Sequence, residues 1–237
     1  MAIAFDATSI SAQTSDSSAP VTISWSHTCS GIDRILLVGM SLSSQANTVS
    51  SITYDGVDLT KIRETVNAGD NIASLWYLVA PATGSNTITA IMNSSMLVSF
   101  GMAVSLTGVD QTNPIENDNG TTADAASSVS TTVTSKTDGA WIVDVVTKES
   151  AIGVLTVGSG QTQRQNTNGT SIDVGMSTVN GKSPAGDEAM DWDDGGSAFS
   201  FAWSIAACAV RPFIPLDFVQ QHIPAFLKPK AVGYQTS

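Results

Sequence analysis

Apolar and polar positions alternate along most of this chain. Val21, Ile23 and Trp25 alternate with Thr22 and Ser24, which predicts a half-buried strand, and His27 continues its apolar face. Residues 32–42 are nearly continuously apolar and predict a central strand. Residues 52–59 predict a hairpin, because Asp55-Gly56 sits between alternating apolar positions. Further strands are expected at 3–6, 72–79, 87–92, 96–106, 129–134, 141–146, 154–157, 162–165, 171–178, 188–192 and 198–210. Turns fall at 81–84, 137–139, 181–186 and 193–196, and Asn168-Gly169 marks a second hairpin. Residues 108–127 contain Pro114 and the polar run 116–120, and predict a long loop. No segment before residue 212 has helical periodicity. About fourteen short strands at this spacing predict an all-β, antiparallel sandwich. No repeat with a period of 20–50 residues is visible.

The pattern breaks at Pro212. Four of the eight prolines lie between residues 212 and 229. Phe213, Ile214, Leu216, Phe218, Ile223, Phe226 and Leu227 make the same segment apolar. It is too interrupted to add a strand, and so many large apolar side chains need a cover. The expected division is an N-terminal arm or edge strand over 1–20, a sandwich domain over 21–211 and a docking arm over 212–237. Three placements of the arm are open. It folds back on its own domain, crosses to a neighbouring subunit or shell protein, or lies on a membrane as a short helix. Pro215 and Pro224 disfavour the last. A proline-rich arm loses less entropy on docking, which suits a clamp.

Charge narrows the partners. Of 237 residues, 42% are apolar and 13% charged, for a net charge of −11. Residues 1–211 carry 8 Lys/Arg against 20 Asp/Glu, and the arm carries Lys228 and Lys230 against Asp217. An acidic body without clustered Lys and Arg argues against nucleic acid. No apolar run reaches membrane-spanning length, and no membrane partner is expected. Residues 1–9 lack the basic and apolar regions of a secretory signal, so synthesis in a cytoplasm is expected. Cys29 and Cys208 do not make a disulfide framework; two buried thiols or one bridge are both open.

Several residues are candidates for chemistry. Neither His27 nor His222 sits in a nucleophile or zinc motif, and no catalytic set or cofactor motif is found. Asp191, Asp193 and Asp194 precede Gly195 in the manner of a calcium loop's start, but Ala202 stands where such a loop needs Glu. A solvated turn is the plainer expectation. Glycan binding needs exposed aromatics. Trp25, Trp76 and Trp203 lie in apolar strands, which leaves Trp192, among aspartates, and Trp141, beside a turn, as candidate contacts.

Blocks 52–62 (ITYDGVDLTKI), 75–89 (LWYLVAPATGSNTIT), 103–115 (AVSLTGVDQTNPI), 138–146 (DGAWIVDVV) and 157–164 (VGSGQTQR) carry a resemblance. The chain resembles a family of jelly-roll-like β-sandwich domains found in phage virion and tail proteins and in bacterial surface proteins. The resemblance spans roughly 21–210 and implies a fold and a setting, with no catalytic residues. It leads to the expectation of a non-enzymatic virion protein, a capsid decoration (cement) or head or tail fibre-type component. Its partners would be its own subunits or another capsid or tail protein. The alternative is a carbohydrate-binding or adhesion module.

Overall fold

The alternation that begins at Val21 is preserved in the folded chain, and it assigns each strand to a layer. The structure is a computed structural model that describes residues 1–16, 20–43, 48–67, 71–93, 96–149, 154–196 and 201–215. All regular structure among these residues is strand. The first half of the chain forms β1 (Ala4–Ile10), β2 (Thr14–Asp16), β3 (Val21–Cys29), β4 (Ile35–Leu42), β5 (Val49–Tyr54), β6 (Val57–Asp58), β7 (Thr60–Asn67), β8 (Asn71–Val79), β9 (Gly84–Met92) and β10 (Met96–Thr107). The second half forms β11 (Ile115–Ala126), β12 (Ser128–Thr134), β13 (Ala140–Glu149), β14 (Thr156–Val157), β15 (Thr162–Asn168), β16 (Ile172–Lys182), β17 (Asp187–Asp193) and β18 (Phe201–Val210).

The second half repeats the winding of the first. One sheet runs β1-β10-β4-β8-β7, and its counterpart runs β11-β18-β13-β16-β15. The sheet that covers the first runs β3-β9-β5-β6, and that covering the second runs β12-β17-β14. Each half is thus a jelly-roll-like sandwich in which the first and last long strands pair. In the first half one strand changes sheets: β6 pairs with β5, Leu59 donates its N–H to Ile52 at 2.8 Å, and β7 continues beside β8. The Asp55-Gly56 turn has φ of 52° and 76°, both left-handed, as the hairpin requires.

The two sandwiches stack through their larger sheets, giving four layers and three cores. Trp25, Ile23 and Val21 of β3 pack on Leu36, Val38 and Met40 of β4 in the first core. Leu37, Phe100, Met102 and Val104 meet Val143, Val145, Met176 and Cys208 in the middle core. Ile142, Val146, Trp203 and Ile205 meet Met190 and Trp192 in the third. Both faces of β4 and β18 are therefore covered, which is why the run at 35–42 is apolar without alternation. Close approach is met by glycine. A Cβ on Gly39 would lie 2.8 Å from Val145 across the middle core.

The long loop expected over 108–127 is corrected. Residues 115–126 are β11, an edge strand paired with β18. Its polar side chains give little strand propensity, but backbone pairing to β18 does not depend on them. A Cβ at Gly120 would strike Thr65 Oγ1 and the carbonyl oxygen of Ile205, so only glycine lets β11 lie this close. Cys29 and Cys208 are both free and buried in different cores.

Candidate functional site: the root of the C-terminal arm

The arm leaves the body at the joint between the two sandwiches. After β18, Arg211 donates its N–H to Pro114 (2.8 Å) and accepts from Asp110 (3.0 Å) through its carbonyl. Pro212 bridges Val109, and Phe213 donates to the Gly108 carbonyl at 2.8 Å. These partners belong to the link between β10 and β11. The N-terminal ammonium of Met1 donates to the Phe213 carbonyl at 2.9 Å. Gly108 has φ of 71°, and a Cβ there would lie 2.3 Å from the Ala2 carbonyl oxygen. Only glycine therefore lets the N-terminal segment pass.

Glu116 fixes the surroundings. Its side chain is fully buried, and its carboxylate accepts from the backbone N–H of Lys136 at 2.7 Å and of Thr137 at 3.3 Å. The other carboxylate oxygen takes Arg211 Nε at 3.2 Å. One buried acid thus ties the turn at 136–138 to the base of the arm. Between them lies a groove of about 540 Å³, lined by Met1, Ala2, residues 136–138 and residues 212–215. Phe213 and Ile214 are 38% and 40% exposed beside it. Both belong to the expected docking set. Leu216, Phe218, Ile223, Phe226 and Leu227 lie outside the described residues.

The other candidates sit differently. Trp192, expected as an exposed glycan contact, is 1% exposed and Trp141 is 7% exposed, so both are core residues. Neighbouring strand residues face opposite ways, so the aspartates beside Trp192 are outside while its indole is inside. The indole N–H of Trp192 donates to Asp144 Oδ2 at 2.7 Å. Asp144 Oδ1 accepts from the N–H and hydroxyl of Ser177, both at 2.8 Å. Burial pushes the Asp144 carboxyl up to about 6 against these bonds. Asp191 and Asp193 share the outer face of β17, whereas Asp194 is buried. Among the described residues no group of three His, Cys, Asp or Glu is placed to hold a metal ion.

His27 faces inward as its register predicts. Its Nε2 lies 3.0 Å from Ser105 Oγ, whose hydroxyl donates to Asp6 at 2.7 Å. The proton is therefore on Nε2, and Nδ1 accepts from Ser9 at 2.8 Å. Ser9 in turn accepts from the Trp25 indole at 3.2 Å. Burial, opposed by the Asp6 charge, holds the imidazole down at about 4. This chain of bonds ties β1 and β3 to β10.

No protein-family model, curated protein or solved structure matches the chain.

Proposed function

We propose that this chain is a non-enzymatic structural protein of a phage virion, of the capsid-decoration or fibre type, anchored to neighbouring subunits by its C-terminal arm. The observation that carries the reading is the root of that arm. Residues 211–213 are held by backbone bonds to the inter-sandwich link, while Phe213 and Ile214 face outward beside an apolar groove. An arm that folded only as a frayed terminus would not need this anchoring. Burial of five or six large apolar side chains contributes roughly 1.5–3 kcal/mol each before ordering costs. That is enough for a contact repeated around a symmetric shell. Jelly-roll-like sandwiches serve in capsids and in lectins alike, so the fold alone does not choose between them. The glycan reading loses its two aromatic platforms, since Trp141 and Trp192 are buried.

Light scattering on the full chain and on a chain ending at Pro215 tests this. The shortened chain keeps every described contact of the body. The expected result is an assembly for the full chain, alone or with its shell partner, and a folded monomer without the arm. Equal masses and equal shell binding for the two chains would refute the arm as the anchor.

A further inference from the structure

The third core holds an ion pair where hydrocarbon would serve. Lys148 of β13 and Asp173 of β16 are direct cross-strand partners, and both side chains are fully buried. Nζ lies 3.2 Å from Asp173 Oδ2. The ring centroids of Phe201 and Trp203 stand 4.4 and 5.7 Å from Nζ and close the pair off from water. Asp173 Oδ1 has no hydrogen-bond donor among the described residues. The last inward-facing cross-strand pair at the matching end of the first sandwich is Leu42 opposite Ile72, both fully buried. Replacing a buried ion pair with such a hydrocarbon pair is commonly neutral or stabilising, because desolvation of two charges outweighs much of their attraction. The pair therefore asks for a reason other than stability as an ion pair.

We infer that Lys148 and Asp173 condense to an isopeptide bond, Nζ to Cγ, that staples β13 to β16. Transfer of one proton from the ammonium to the carboxylate gives an amine and a carboxylic acid. The amine lone pair then attacks Cγ. The C–OH bond breaks, and the hydroxyl departs with a second proton from nitrogen as one molecule of water. An ammonium and a carboxylate become one neutral amide plus water, with no oxidant, metal or activated donor needed. The surroundings favour this direction. Burial, opposed by Lys148 and reinforced by the Asp194 charge, raises the Asp173 carboxyl to about 6, toward the acid form that can lose hydroxide as water. Asp194 is itself buried. Its charge acts on Asp173 in the direction that favours the acid form. Exclusion of water by the two rings slows the reverse hydrolysis.

Intact mass of the purified, denatured full chain tests the bond. The expected mass is that of the sequence less one water, and digestion should yield a branched peptide joining the segments around residues 148 and 173. Lys148→Arg should restore the full mass. Asp173→Asn should lose one ammonia in place of one water, a signature that no structural role of the ion pair produces. Full mass in the unsubstituted chain, with the two peptides recovered separately, overturns the proposal without any variant having to fold. So does a one-water deficit found in a linear peptide, as from cyclisation at Asp55-Gly56, Asp138-Gly139 or Asp194-Gly195.

Discussion

Asp144 should make the second sandwich more stable in mild acid. Its carboxylate is fully buried, accepts from Trp192 and Ser177, and titrates at about 6 in the fold against 3.8 for an ordinary aspartate. The folded state therefore binds this proton more tightly than the unfolded state. Stability from this group falls as pH rises from the unfolded value through the folded one, and rises in the opposite direction. The full span is worth about 3 kcal/mol at 1.36 kcal/mol per unit. Linkage places about 1.4 kcal/mol of it between pH 7.5 and pH 5, which stays clear of the isoelectric point near 4.3. Asp144→Asn removes the titration while keeping one acceptor and the side-chain volume. Urea unfolding followed by tryptophan fluorescence would give stability for both chains across this range. Exposed carboxylates contribute equally to both, so the difference isolates Asp144. The parent should gain on the variant as pH falls toward 5. A difference that is flat with pH, or that moves the other way, refutes the assignment of a strained buried charge at this position.

Two further outcomes follow from the packing. A Cβ at Gly101 would lie 2.3 Å from the Trp25 ring, and one at Gly175 would lie 2.5 Å from the Trp192 ring. Gly101→Ala and Gly175→Ala should each cost about 1–3 kcal/mol by overpacking, read as a drop in Tm; a variant as stable as the parent would show that the indole does not lie over that glycine. Cys29 and Cys208 are buried, and burial raises both thiols above their usual range. A thiol reagent should react with neither in the native protein and with both after denaturation; rapid native labelling of Cys208 would contradict its place in the middle core.

Where side-chain pattern and backbone pairing agreed, the fold was legible. The face shared by Val21, Ile23, Trp25 and His27 and the hairpin at Asp55-Gly56 are such places. Strand β11 was not legible, because residues 116–122 are polar and the strand is held through its backbone by β18. The same blindness hid Glu116, which reads as part of a polar run yet is the buried tie between the arm and the turn at 136–138. The aspartates beside Trp192 suggest exposure, but they face the other way, and its indole is buried. The doubling of the sandwich left no trace at short period because winding, not side chains, is repeated. One further signal lies in the strand pattern itself. Asp144 and Lys148 stand as charges at inward positions of an otherwise apolar strand, and Asp173 faces Lys148 across the pairing. A charge at such a position needs a partner or a chemistry.

The place of the arm follows from the doubling. Two sandwiches that share a middle core need their link to stay short, and residues 108–114 run directly from β10 to β11. The arm returns to this link after β18: Pro212 bridges Val109, and Arg211 and Phe213 exchange backbone bonds with Asp110, Pro114 and Gly108. Arg211 reaches Glu116 at the start of the second sandwich, while the N-terminus of the first sandwich caps Phe213. Force applied through the arm would thus be shared by both sandwiches at their joint. Had the arm continued from an edge strand, the same force would peel one ladder bond after another. An anchor rooted at a joint, with the proposed staple between β13 and β16 behind it, would suit the proposed role of holding neighbouring subunits together.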